Sequence, residues 1–146
     1  MRLLSTADLT LHTFPDDAIP QYSILSHTWG DEEVLFHEML NPTDEIRGRA
    51  GYKEIQKCAE ISRKIWDCDF TWVDTCCIDK TSSSELSESI NSMYAWYRDS
   101  YICFAYLEDF HDENISQVSQ KTRWFTRGWT LQELLAPEEV IFFSAS

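Results

Sequence analysis

Short apolar runs alternate along this chain with longer segments whose apolar residues return every three or four positions. Residues 1–14 alternate loosely, with Leu9, Leu11 and Thr13 in step, and predict short N-terminal edge strands. A loop spans Pro15 to Pro20. Tyr22–Thr28 (Tyr-Ser-Ile-Leu-Ser-His-Thr) predicts a strand, followed by the acidic turn Trp29-Gly30-Asp31-Glu32-Glu33. Residues 37–50 are polar and carry no clear period. From Gly51 to Trp66, the spacing of Tyr52, Ile55, Ala59, Ser62, Ile65 and Trp66 predicts an amphipathic helix. Phe70–Ile78 predicts a strand, interrupted by Asp74. Ser82 with Glu85 resembles a helix-capping pair, opening a helix that turns Leu86, Ile90, Met93 and Tyr97 inward. Tyr101–Leu107 is almost continuously apolar, as parallel strands covered on both faces are. After a polar stretch over 108–121, Trp124–Leu135 predicts a helix ended by Pro137, with Trp124, Gly128, Leu131 and Leu135 on its inward face. Val140–Ser144 closes the series as a last strand.

Strands alternating with helices of these lengths imply an α/β fold: a flavodoxin-like, mostly parallel sheet with helices on both faces and right-handed crossovers. Its four central strands are Tyr22–Thr28, Phe70–Ile78, Tyr101–Leu107 and Val140–Ser144. At 146 residues the chain is one domain with a sizeable core, and no internal repeat appears. It stops directly after a strand, at Ser-Ala-Ser, so residues 1–146 are expected to be the N-terminal domain of a longer protein.

Charge narrows the partners. A formal charge of −13 argues against nucleic acid or an anionic membrane, both of which need a basic face. An anionic ligand would need a local basic spot, and Arg123, Arg127 and Lys80 are the candidates. The N-terminus lacks a signal-peptide core, and the five cysteines, Cys58, Cys68, Cys76, Cys77 and Cys103, are odd in number. Together these predict free thiols in a reducing, cytoplasmic setting. On a strand, adjacent Cys76 and Cys77 would point to opposite faces, which spoils them as a metal pair; His12, His37 and His111 show no ligand spacing, so no metal is expected. Neither glycine-rich phosphate loop is present, so no bound dinucleotide cofactor is expected.

In an open parallel sheet, ligands bind beyond the carboxyl ends of the strands. Three polar clusters fall there: Ser26–Glu33, Asp74–Ser84 and Glu108–Asp112. Gly30 permits close backbone approach and Trp29 offers a stacking face. Asp74 inside an apolar strand must find a partner, and a hydrogen bond to a neighbouring turn is the expected one. His27 with Cys77 has the composition of a thiol nucleophile and its base, but no third group orients them, and cysteines commonly serve as small buried apolar residues. Trp129 and Glu133 stand four apart on a helix face; a carboxylate held against an indole loses solvation, and its pKa rises toward the useful range.

Three blocks together resemble the fungal heterokaryon-incompatibility (HET) domain: Tyr22-Ser-Ile-Leu-Ser26-His-Thr-Trp29-Gly30, then Trp72-Val-Asp74-Thr-Cys-Cys77-Ile78-Asp79-Lys80, then Arg127-Gly-Trp129-Thr-Leu-Gln132-Glu133. The resemblance implies a cytoplasmic protein of non-self recognition that triggers regulated cell death, often standing before receptor domains in a longer chain. HET domains are in turn distantly similar to Toll/interleukin receptor (TIR) domains, which are flavodoxin-like and signal by self-assembly. Several TIR domains cleave NAD through a glutamate in a Trp-Cys-x-x-Glu pattern; here Trp129-Thr130-Leu131-Gln132-Glu133 keeps the Trp-to-Glu interval, with Thr130 in place of Cys. By that resemblance Glu133 is the catalytic candidate, and Ser26, Trp29, Gly30, Arg127 and Trp129 are the substrate-binding ones. Asp74, Cys77, Asp79 and Lys80 correspond to the loop used in assembly. Two functions stay open: an NAD glycohydrolase, or a signalling module without chemistry that acts by homo-oligomerising and recruiting partners. They are told apart by whether Glu133 opens on a cleft shared with residues 26–33 or is held in a buried ion pair with an arginine.

Overall fold

A computed structural model describes residues 1–110, 122–128 and 130–144. Six strands form one sheet: β1 (Arg2–Ser5), β2 (Leu11–Thr13), β3 (Tyr22–His27), β4 (Phe70–Val73), β5 (Ile102–Leu107) and β6 (Val140–Ser144), in the order β2-β1-β4-β3-β5-β6. β3 pairs in parallel with β4 and with β5, and β5 in parallel with β6. The expected parallel sheet is therefore present. β2 is the edge strand, and β1 lies between it and β4, antiparallel to both.

The helices are α1 (Phe36–Leu40), α2 (Asp44–Gly48), α3 (Ala50–Trp66), α4 (Asp74–Cys77), α5 (Ser83–Asp99) and α6 (Thr130–Leu135). Successive strand residues face opposite sides of a sheet, and two adjacent pairs show both sides covered. On β3, Tyr22 Oη donates to the Trp96 carbonyl of α5, whereas Ser23 Oγ meets Ser62 Oγ of α3 at 2.7 Å. On β4, Trp72 packs against Trp96 and Tyr97, whereas Thr71 meets Cys58 of α3. β3 and β5, covered on both faces, are buried at every position. β5 accordingly reads as an unbroken apolar run, whereas the polar residues of β3, Ser23, Ser26 and His27, each find a polar partner. Among the described residues no helix is long and apolar enough to cross a membrane.

Several local expectations are corrected. The strand expected over Phe70–Ile78 ends at Val73, and Asp74–Cys77 turns into a short helix instead. Its free carbonyls are met from outside: Lys80 Nζ donates to the carbonyls of Asp74 and Thr75. Cys76 and Cys77 thus lie on one helical turn, not on opposite strand faces, and both are buried. All five cysteines are free. Residues 36–48, without clear period, hold α1 and α2; each is a single short turn, too brief for a periodic pattern to register. The helix expected over Trp124–Leu135 is two pieces, a 3-10 turn at Arg123–Thr126 and then α6. The break rotates one piece against the other, so Trp124 is buried while Gly128, Leu131 and Leu135 are exposed. Ser82 caps α5 by accepting the Glu85 N–H, but Glu85 turns its carboxylate to Arg2 and the Asp79 N–H, so the reciprocal half of the cap is missing.

Gly51, at the start of α3, is pressed against the acidic turn: a Cβ there would stand 2.6 Å from the Glu32 carbonyl oxygen and 3.1 Å from the Glu33 Cα. Nothing lies within 4 Å of a Cβ added at Gly48. Gly51→Ala should therefore cost about 1–3 kcal/mol by overpacking against backbone. Gly48→Ala should leave stability within about 0.5 kcal/mol of the parent, and urea unfolding of both proteins checks the contrast.

Candidate functional site

The parallel strands run in spatial order second, first, third, fourth, so the strand order reverses between β3 and β5. Their carboxyl ends open a crevice at that reversal, the usual ligand position in such sheets. A cavity of about 470 Å³ lies on this side of the sheet, beyond the ends of β3 and β4. Thr28 and Trp29 from the turn after β3, Asp74, Lys80, Arg127 and Glu133 form its polar side, and Ile78, Leu86, Ile90 and Met93 its apolar wall. The last three were expected to face the core; Ile90 is 43% exposed because this stretch of α5 borders the cavity. A larger cavity, about 900 Å³, sits at the opposite, amino ends of the strands among Asp16, Asp17, Asp99, Glu138 and Glu139. None of the described candidate residues lines it.

Glu133 is the most constrained group of the site. It is 6% exposed, on the inward side of α6. Its Oε2 accepts from Ser26 Oγ and from Arg127 Nη2, each at 2.5 Å, and its Oε1 faces the Tyr97 hydroxyl at a long 3.4 Å. Trp124 fixes the direction of this chain. An indole N–H can only donate, and it donates to Ser26 Oγ at 2.7 Å, so the Ser26 hydroxyl hydrogen is left for Glu133. Burial raises the Glu133 pKa, opposed by the Arg127 charge and the Ser26 hydrogen bond. Burial likewise pushes the Tyr97 hydroxyl well above its usual value, with the Glu133 charge adding to it, so Tyr97 stays a neutral donor. Both alternatives weighed for Glu133 hold together: it lines the cavity shared with Thr28 and Trp29, and it is paired with an arginine.

Trp29 stands at the mouth, 48% exposed. Its indole N–H donates to Asp74 Oδ2 at 2.9 Å, and Lys80 Nζ lies over its ring at 4.8 Å from the centroid. Asp74 thus takes the hydrogen bond to a neighbouring turn that its sequence position demands, and the platform is held in one orientation. Burial lowers the Lys80 pKa, while the charge of Asp74 draws it back up. Of the other candidates, Gly30 is exposed and gives its N–H to Glu33 Oε1 at 2.7 Å. Cys77 is 3% exposed, its sulfur accepting the Val73 N–H and its carbonyl accepting from Arg2, which withdraws it from any exposed surface. Asp79 accepts from Thr81 and lies 3.4 Å from His37. Trp129 lies outside the described residues. Tyr97 and Trp124 are the members sequence reading assigned only to the core; an aromatic at helical spacing gives no sign that its polar atom is directed at a carboxylate.

His27 does not serve Cys77: its Nε2 meets Glu33 Oε2 at 3.1 Å. Burial disfavours the His27 cation, but the bond to Glu33 and the fields of Asp74, Glu33 and Glu54 outweigh this and raise its pKa. The acidic turn has its own small cavity, about 220 Å³, where Asp31, Glu32, Glu33, Glu54 and Glu108 meet. Glu32 accepts the Ala50 N–H at the start of α3. Among the described residues no group of three or more His, Cys, Asp or Glu is arranged to hold a metal ion.

Two outcomes follow from these environments. Ser26→Ala takes a donor from Glu133 and the Ser26 acceptor from a buried indole N–H. It should cost about 1–3 kcal/mol in urea unfolding and shift the Glu133 titration, followed by carbon-13 NMR, to higher pH. Glu54 is pushed up to about 7 by burial and by Glu33 and Glu108. A carboxyl raised on folding favours the folded state below its unfolded pKa, and that contribution disappears as pH climbs through the folded one. Melting temperature should therefore carry a component that falls between pH about 4.5 and about 7, and Glu54→Gln should remove it.

Comparison with known proteins agrees with the sequence blocks. The family model described as "Heterokaryon incompatibility protein (HET)" matches residues 22–122. The chain is 45% identical over 159 aligned residues to "Vegetative incompatibility protein HET-E-1" of Podospora anserina, covering 99% of this chain and 11% of that protein. No solved structure matches the chain. The matched span, the order of the blocks and this identity place the chain in the heterokaryon incompatibility (HET) family.

Proposed function

We propose that this chain is the effector domain of a fungal non-self recognition protein, acting in the cytoplasm to trigger regulated cell death in heterokaryon incompatibility, and that it does so by TIR-like cleavage of NAD. That its relative is a vegetative incompatibility protein supports the biological role. The chemistry rests on one observation: a desolvated carboxylate, Glu133, borders a cavity that also offers a fixed indole and an apolar wall. The volume of about 470 Å³ falls in the range of small-molecule sites.

In the proposed reaction the bond between the nicotinamide nitrogen and ribose C1′ breaks. Its electron pair leaves with neutral nicotinamide. Water supplies the oxygen that bonds to C1′, and its proton passes to solvent, leaving ADP-ribose. Positive charge develops on the ribosyl ring as the bond stretches, and the ionised Glu133 carboxylate stabilises it. Ser26, locked as a donor by Trp124, keeps that carboxylate in one orientation. Trp29 gives a flat face for a heterocycle. NAD is substrate here, and no resident cofactor is invoked. Activation is expected to involve homo-oligomerisation through the Asp74–Ser84 segment, with receptor domains elsewhere in a longer chain.

The Arg127–Glu133 ion pair favours a second reading, in which Glu133 is structural and the domain kills by assembly and recruitment alone. Glu133→Gln separates the two, because it keeps the shape and removes the charge. Under the hydrolase reading, nicotinamide release by the purified, concentrated domain should fall at least ~100-fold with the melting temperature preserved. A folded Glu133→Gln protein that remains fully toxic on expression in a fungal host would remove the hydrolase reading.

A further inference from the structure

Arg127 makes an incomplete contact with Glu133. A guanidinium meets an oxyanion best side-on, through Nε–H and one Nη–H together. Here Nη2 reaches Glu133 Oε2 at 2.5 Å, while Nε is buried and has no partner among the described residues. Half of the fork is idle, and a buried N–H left without an acceptor is unfavourable. Ser26 already donates to the same carboxylate oxygen, so that oxygen is not short of donors without Arg127.

The guanidinium also borders the cavity, with its side chain 23% exposed. The second cation there, Lys80, is fixed by the carbonyls of Asp74 and Thr75 and by the Trp29 ring. Glu133 and Asp74 oppose these two cations, so the resting cavity holds little net attraction for an anion. An anion that enters must take Arg127 from Glu133.

We propose that Arg127 is a specificity-determining latch: a diphosphate group fills its Nε–Nη2 edge, draws the guanidinium off Glu133, and uncovers the carboxylate for phosphate-bearing substrates. This deepens the hydrolase reading and rests on it for its catalytic consequence, but the binding step stands alone. A neutral nucleoside has nothing with which to open the latch. The fork geometry makes Arg127 the operative cation, because a lysine ammonium offers a point charge and no paired edge.

Inorganic pyrophosphate is the probe, titrated calorimetrically into the wild-type domain, Glu133→Gln, Arg127→Gln and the double variant. Because Glu133 competes for Arg127, Glu133→Gln should tighten pyrophosphate binding about tenfold with Arg127 present and about twofold or less without it. Arg127→Gln alone should weaken binding about tenfold, as expected for loss of a charge-assisted fork. Additive effects of the two substitutions, or no pyrophosphate binding by the wild type, would overturn the latch. If Arg127→Gln fails to fold, Arg127→Lys replaces it in the cycle: it keeps the charge, loses the fork, and should still weaken binding. Nicotinamide release is measured in parallel. Release without the coupled pyrophosphate response retains the hydrolase and discards the latch; the coupled response without release does the reverse.

Discussion

Burying one carboxylate, Glu133, organises this end of the molecule. An ionised carboxylate removed from water loses several kcal/mol of hydration even after relaxation, so each neighbour must return part of it. Ser26 comes from β3, Tyr97 from α5, Arg127 from the link before α6, and Trp124 acts through Ser26 from the 3-10 turn. Segments far apart in sequence are held together by the needs of a single acid. The indole N–H of Trp124 removes the one ambiguity in the network, the direction of the serine hydroxyl.

The mouth of the cavity, around Trp29, is fixed by a parallel device. Lys80 closes the short helix α4 by meeting its carbonyls, and the same ammonium covers the Trp29 ring whose N–H is held by Asp74. A loop after β3 and a helical turn after β4 are thereby locked to each other. The acidic residues behind them are engaged as well. Glu32 caps α3 at the Ala50 N–H, and Glu33 binds Gly30 and His27. Much of the negative charge in this turn is therefore structural, which leaves the cavity itself close to balanced.

The layer architecture is written in the order and spacing of the apolar residues. The continuous apolar run of β5 reads as burial on both faces, and the helical spacing of α3 and α5 supplies the covers. Trp29 and Lys80 were legible as site candidates because they fall in polar clusters beyond the carboxyl ends of strands. Arg127 was legible as a basic residue able to meet an anion, and Glu133 through its interval from Trp129 on a helix and the family resemblance. Short elements were not legible. Single turns such as α1, α2 and α4 contain too few residues for periodicity, and the 3-10 break before α6 reversed the expected facing of Leu131 and Leu135.

What the polar atoms do depends instead on which distant segments meet in the fold. Ser26 lies 107 residues from Glu133 and 98 from Trp124, and no local pattern encodes that meeting. Leu86, Ile90 and Met93 carry the spacing of core residues; their role as a cavity wall comes from where α5 passes the end of the sheet. The half-filled fork of Arg127 is likewise a matter of long-range placement. Periodic burial is a short-range property that a chain writes along itself, whereas the pairing of a buried charge depends on which distant segments the fold brings within hydrogen-bond reach.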